Sequence, residues 1–488
     1  MDNTPSFAGY FLLFIPWGLS LLFMDYLILS YLTAWLGSFF IFYISMNGRV
    51  KPLPGDQPFA AQLLRPIILG QIIFAGYMCC TSVFYFFDVF MDSRAFGPGV
   101  LSPADEERLS LAAQCQRYYC LAHAAFVSGL LIFMRQSLIP KYTCPHNAPG
   151  KLVLNISLIC GILAYLISLS EGLSQFSHQL TTLGVIAGTL ALALAIVEKN
   201  TWRICLCLII YGLNFYHALL SGFKEPVILS VLILAIFLYP AYPKMAFFTF
   251  APLLLALFIL LPTYNRIFRE QAWSAGLSAT QAGQLAFNAV FESGISSNWS
   301  FLSYRLSEIH MFTKYVQSTP SHVDHYGFDL IQQSLASVIP RLCWPSKPVT
   351  EQLVMERVHR AAVTHPDSKV SAKPAFIADA YLSGGAPGIF ICLFSYGALC
   401  QLISNKAEQL FGGYLLGIAL IFSGLFQVFW RGQCFEFLLN TVCWSYVSMY
   451  LIFYTLRFFA VLIPAKACMT NSDSQLTTDN PQLTTNNA

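Results

Sequence analysis

The chain has 488 residues, of which 56% are hydrophobic, 15% aromatic and only 10% charged, with a mean hydropathy of +0.60. Soluble domains carry about one quarter charged residues, so this composition excludes an ordinary soluble protein and describes a polytopic membrane protein. A formal net charge of +3 is too small for an electrostatic nucleic-acid binder.

Crossing the hydrocarbon core takes about 20 apolar residues per helix. Candidate spans lie near 7–23, 26–46, 66–87, 118–134, 152–170, 180–197, 204–220, 226–240, 246–262, 376–402, 413–430 and 437–459. The expected fold is all-α, with about twelve transmembrane helices and one large outer loop. Nine spans fall in 1–262, a hydrophilic stretch covers 263–375, three spans fall in 376–460, and 461–488 is a tail. The start Met1-Asp2-Asn3-Thr4 lacks the basic region of a cleavable signal. With the N-terminus cytoplasmic, twelve basic residues fall on the cytoplasmic side against five in short outer loops. The positive-inside bias then puts both termini in the cytoplasm and the hydrophilic stretch outside.

Ser102-Pro103-Ala104-Asp105 reads as a helix start, with Asp105, Glu106 and Glu107 favoured by its dipole. Ser221-Gly222-Phe223-Lys224-Glu225-Pro226 is a short outer turn; its helix start suits an anion, or Lys224 simply pairs with Glu225. Within 263–375, Asn298 to Gln317 has helical spacing at Leu302, Leu306, Ile309, Phe312 and Val316. Arg305 lies beside that apolar face, where it needs an anion, Glu308 or a snorkelling stem. Phe328 to Val338 is a second amphipathic segment ending at Pro340. Two such helices suggest a lid on the membrane surface.

Between them, His322-Val323-Asp324-His325 has no recognised zinc spacing, so no metal is expected. His310, His359 and His365 are candidate acids or bases, since imidazole titrates near neutrality. In Pro340-Arg341-Leu342-Cys343-Trp344-Pro345-Ser346-Lys347-Pro348, prolines hold two cations in a stiff frame around an indole. Arg341 grips phosphate oxygens in a fork and Lys347 adds a point charge; an interfacial anchor is the plain alternative.

Further on, Asp379 opens a span followed by Gly384, Gly385 and Gly388. It is either a general base, the residue that orients one, or a carboxylate favouring a helix start. Arg431 sits at another outer helix end with Glu436 a turn later. The tail repeats Gln-Leu-Thr-Thr at 475 and 482 and has little to bury, so it reads as disordered. Cys343 and Cys434 both fall on the outer side. Phosphate loops, dinucleotide fingerprints, serine-hydrolase elbows and CxxC pairs are absent, so no cofactor is implied.

The layout and the Pro340–Pro348 run resemble bacterial Wzy-type oligosaccharide repeat-unit polymerases. Arg305 with Thr319-Pro320 and Tyr326-Gly327 is similar to the upstream half of that family's large periplasmic loop. Asp379-Ala380-Tyr381 with its glycines, and Arg431-Gly432, resemble later motifs. Where the family's short turn carries an arginine, this chain has Lys224. The resemblance implies a multi-pass inner-membrane glycosyltransferase. Its substrate would be an undecaprenyl-pyrophosphate-linked oligosaccharide, and a flippase and a chain-length regulator would be its partners. It implies catalytic roles for Arg305, His310, Arg341 and Asp379, and substrate binding by Lys224, Tyr326, Trp344, Lys347 and Arg431. An O-antigen ligase and a lipid-linked oligosaccharide flippase remain as alternatives.

Overall fold

The computed structural model describes residues 7–55, 62–94, 103–136, 138–143, 149–169, 174–292, 308–367, 372–411, 417 and 433–465. These residues are almost entirely helical. In chain order the helices are α1 (Phe7–Phe11), α2 (Ile15–Leu22), α3 (Leu27–Met46), α4 (Pro66–Ile73), α5 (Ser82–Arg94) and α6 (Pro103–Phe133). Then follow α7 (Pro149–Ser168), α8 (Ser174–Val197), α9 (Thr201–Leu220), α10 (Lys224–Leu238) and α11 (Pro243–Arg269). The polar stretch adds α12 (Ala279–Glu292), α13 (Ile309–Ser318), α14 (Asp329–Val338) and α15 (Thr350–Arg360), and the chain returns through α16 (Phe376–Leu410) and α17 (Phe435–Phe458). A two-stranded antiparallel pair joins Tyr142–Thr143 to Ile463–Pro464.

Seven helices among the described residues, α3, α7, α8, α9, α11, α16 and α17, are long and apolar enough to cross a membrane. The segments Gly9–Leu22, Pro66–Gly76, Ser82–Met91 and Pro226–Leu238 are apolar but shorter. The long helices carry large exposed apolar residues, such as Phe248 on α11 and Leu166 on α7, which a bilayer would cover. The span expected near 413–430 and the disordered tail lie outside the described residues, except for Gly417 and the tail's first residues.

Helices run past the edges of their apolar runs. α6 starts at Pro103, as its Pro-Asp-Glu signature directs, and its first turn holds Asp105 and Glu106. α11 continues beyond 262 to Arg269, with Arg266 and Arg269 in its last turn, where the dipole favours cations.

The pairing of α6 with α16 is the most extensive helix contact of the core. It depends on two glycines. A Cβ on Gly129 would collide with the Phe394 carbonyl, and one on Gly397 with the Phe126 carbonyl. Each bare Cα therefore lets the other backbone approach, as small residues do between membrane helices. Gly397→Leu should push the two helices apart at a cost of about 1–3 kcal/mol. Thermal unfolding in detergent should show the fall; a variant melting with the wild type would contradict this packing.

Candidate functional site

The polar helices α13, α14 and α15 dock at one end of the bundle, where α6, α16 and α17 begin. The centre of this arrangement is Arg357, on α15. Its Nε and Nη2 donate to Oδ1 and Oδ2 of Asp379, both at 3.1 Å. Nη1 and Nη2 donate to Oε1 and Oε2 of Glu436 at 2.6 and 2.8 Å. The guanidinium thus forks twice, to a carboxylate in the first turn of α16 and to another in the first turn of α17. The three side chains are 2%, 0% and 0% exposed. Burial works to lower the Arg357 pKa, and the two carboxylates outweigh it and raise it. The backbone N–H of Phe435 donates to Asp379 Oδ2 at 2.9 Å, which adds an α17 terminal dipole to the cluster.

The clasp extends on both sides. Ser337, near the end of α14, donates through its hydroxyl to the Glu436 carbonyl at 2.8 Å, and Trp444 Nε1 donates to the Val338 carbonyl at 3.1 Å. Lys373 pairs with Glu351 and lies 4.0 Å over the Phe437 ring. The Tyr315 hydroxyl is buried with no hydrogen-bond partner among the described residues. Burial, and then the Asp379 charge, push its pKa up. Asp379, Cys434 and Glu436 place potential ligand atoms within 4.8 Å of one another. The Arg357 guanidinium already occupies the carboxylate oxygens a cation would take.

The Pro-rich turn after α14 is built around Lys347. Its Nζ donates to the carbonyls of Ser337 and Ile339 at 2.6 and 2.9 Å, capping the end of α14. Burial and then Arg341 lower its pKa. Arg341 Nη1 donates to the Lys347 carbonyl at 3.2 Å, and its side chain is exposed. Trp344 is half-buried and donates to Ser346 Oγ at 3.1 Å. Lys347 therefore holds the turn, and Arg341 is the charge it presents.

The third feature is a break in α16. Gly385 has φ of +64°, a conformation only glycine takes readily, and Gly384 beside it is also non-helical. A Cβ on Gly388 would collide with the Ala380 carbonyl, so the two halves of the helix overlap closely. The 322–326 segment lies on this break. The Tyr326 N–H donates to the Leu382 carbonyl at 2.9 Å, the Tyr381 hydroxyl donates to the Thr319 carbonyl at 2.8 Å, and the His325 ring lies 5.7 Å from the Tyr381 ring. His310 sits elsewhere, 5.6 Å from the Tyr85 ring. Its pKa is lowered by burial, then by Lys314 and Arg108.

Of the residues singled out by sequence, Asp379 joins the clasp, with both oxygens engaged and no exposure, so it holds a helix rather than facing a substrate. Arg341, Trp344 and Lys347 come together in one turn, and Tyr326 packs on the α16 break. Lys224 opens α10. Arg305 and Arg431 lie outside the described residues. Cys343 is exposed, Cys434 is buried, and both are free thiols. Two further arginines, Arg357 and Arg269, organise these features without any local sequence signal. Arg357 lies on a helix with few apolar residues, and its partners are 22 and 79 positions away. Arg269 reaches the 221–225 turn from α11: its Nε donates to the Gly222 carbonyl at 2.9 Å, and it lies 4.9 Å over both Phe223 and Trp273. The turn is thus reached by a guanidinium from another helix.

These features define a class: an all-helical membrane protein with a polar helical layer clasped to one end of its bundle. Over residues 15–464 the chain matches the family described as Domain of unknown function (DUF8712), and it belongs to that family. No curated protein matches it. No solved structure matches it either.

Arg357→Ala should cost about 3–5 kcal/mol, because it leaves two buried carboxylates without a counter-charge. Adding Asp379→Asn and Glu436→Gln should recover part of that loss, which thermal unfolding would register. His310, with its folded pKa below the ordinary value of about 6.5, binds fewer protons folded than unfolded between those values. Its contribution to stability is complete above pH ~6.5 and is lost as pH falls through the lowered value. Unfolding midpoints measured across that range should be less acid-sensitive in His310→Gln.

Proposed function

We propose that this protein is a membrane glycosyltransferase that joins oligosaccharide repeat units carried on a polyprenyl pyrophosphate. The observation that supports this best is the exposed Arg341, held by a lysine-capped turn on a polar layer that is itself fixed to two membrane helices. A transporter has little use for such a layer; a reaction on a lipid headgroup needs one at the height of the membrane surface. In this reading the chain has about twelve spans, the polar layer is periplasmic, both termini are cytoplasmic, and the membrane is a bacterial inner membrane.

The chemistry is a substitution at an anomeric carbon. The acceptor hydroxyl oxygen forms the new C–O bond. The bond to the pyrophosphate breaks, and the lipid pyrophosphate leaves with the electron pair. Arg341 stabilises the charge that develops on that leaving group. Arg305, Lys224 and Arg431 are the further cations of this reading. Lys347 positions Arg341, and Trp344 and Tyr326 pack against sugar rings. A loop histidine, His310 or His325, takes the hydroxyl proton. Asp379 acts through Arg357, as the anchor of the layer.

The test is reconstitution of the purified protein with lipid-linked repeat units from its host, without nucleotide sugars. A ladder of products is expected. Arg341→Ala should reduce it by about 100-fold, the typical loss of one charge-stabilising donor. Comparing His310→Ala with His325→Ala identifies the base. Transfer only when lipid A core is supplied would make the protein a ligase. Donor binding with no transfer to either acceptor would make it a flippase.

A further inference from the structure

Two amphipathic helices of the polar layer are built in opposite senses. α13 buries its apolar side: Ile309, Phe312 and Val316 are covered where it packs on α6. α14 turns hydroxyls inward, with Ser334 and Ser337 buried beside Leu330. Its large apolar residues point away from the bundle, and the turn after it continues the pattern. Phe328, Leu335 and Leu342 are 78%, 58% and 68% exposed, and Ile339 and Val349 are exposed as well. A contiguous apolar stripe on a layer otherwise rich in polar groups marks a surface that something covers.

The packing gives the depth of this stripe. Trp444 Nε1 donates to the Val338 carbonyl at the end of α14, and the Trp444 ring lies 4.5 Å from the Phe176 ring at the start of α8. Ser177, the next residue, donates to the Ala164 carbonyl of α7 at 2.9 Å. The end of α14 is thus tied, through one indole and one phenyl ring, to the last turn of a helix long and apolar enough to cross a membrane. From Ala164 onward that helix shows Tyr165, Leu166 and Leu169 to its surroundings. A bilayer that covers the end of α7 reaches the end of α14 too.

The backbone there is satisfied in the way lipid requires. A helix leaves its last carbonyls without intrahelical partners, and in water the solvent serves them. Here every carbonyl from Ala336 to Pro340 is taken by the protein. The Ile339 N–H donates to Ala336, Lys347 Nζ to Ser337 and Ile339, Trp444 Nε1 to Val338, and the N–H groups of Cys343 and Trp344 to Pro340. Backbone that enters a bilayer must find its partners within the protein, because hydrocarbon offers none.

We propose that α14 and the turn from Pro340 to Val349 form an interfacial wedge, with the outward stripe set among the acyl chains of the adjoining leaflet and with Lys347 and Trp444 closing the helix end against the lipid. The leaflet is the occupant, rather than a partner protein, because the stripe adjoins the lipid-facing end of α7 and because its helix end is sealed from solvent. The wedge rests on this packing and not on the reaction proposed above. Arg341, exposed and one residue before Leu342, then stands where hydrocarbon gives way to phosphate.

The test uses the full chain in nanodiscs of phosphatidylethanolamine and phosphatidylglycerol. One sample contains a phosphatidylcholine with a diazirine on its acyl chain, and a second carries the diazirine on the headgroup. Mass spectrometry locates the labels, and hydroxyl-radical oxidation reads access to water. Leu335, Ile339 and Leu342 should take acyl-chain label, as Leu166 on α7 should. They should escape the oxidation that marks His365, an exposed residue of the same layer. Lys347→Met removes the donor from two carbonyls and should lower acyl-chain label on 328–342 at least about tenfold, with α7 still labelled. Oxidation of the stripe without acyl-chain label would place it in water and overturn the proposal. Protection from both reagents would mean that a protein surface covers it, which overturns the proposal equally. Label from the headgroup probe alone would reduce the wedge to a surface contact, and undiminished label in Lys347→Met would refute the sealed helix end.

Discussion

One buried guanidinium decides how the two parts of this molecule fit together. Arg357, Asp379 and Glu436 are all buried, and removing one partner would leave the others as uncompensated polar groups in a dry interior. Each carboxylate opens a different membrane helix, and the arginine comes from the polar stretch that precedes both in sequence. Meeting the charge requirement of any one of the three therefore fixes the polar layer against both helices at once. Replacing this triad with apolar residues of similar volume could be as stable, so stability alone does not account for it. Its geometric consequence is that α15 has one seat on the bundle.

Everything the polar layer presents follows from that seat. Ser337 ties the end of α14 to the Glu436 backbone, and Lys347 caps the same helix end. Arg341 is held by the Lys347 carbonyl in turn. On the other side of the layer, the Tyr326 and Tyr381 hydrogen bonds hold the histidine segment over the Gly384–Gly385 break. A broken membrane helix leaves backbone amides without intrahelical partners in the bilayer, which proteins tolerate where the backbone is covered by protein or faces a polar site. Here the covering is the layer that Arg357 anchors. The clasp, the cationic turn and the break are one connected device.

The helices were legible in the sequence because a bilayer demands runs of apolar residues. The runs near 152–170 and 204–220 appear as Pro149–Ser168 and Thr201–Leu220, and Pro103 opens α6 where the capping signature placed it. The segment Phe328 to Val338 gave its helix through apolar spacing, since Leu330 faces inward. The α15 helix leaves no such apolar run, because its sequence, Thr-Glu-Gln-Leu-Val-Met-Glu-Arg-Val-His-Arg, is mostly polar and its burial rests on an ion pair. Charge pairing across 79 positions leaves no local pattern to read. The same reason hid Arg269, whose partners are a carbonyl on a distant turn and two aromatic faces. For Asp379, the sequence showed an acidic residue at a helix entry but not which cation would claim it.

The most direct test of this account is hydrogen exchange on the wild type and Arg357→Lys in lipid nanodiscs. Lysine keeps the charge and loses both forks. The account predicts faster exchange throughout α13, α14 and α15 in the variant, with the apolar interiors of α16 and α17 still protected. Unchanged protection of the three polar helices would show that the layer is held by something other than Arg357, and the account would be wrong at its centre.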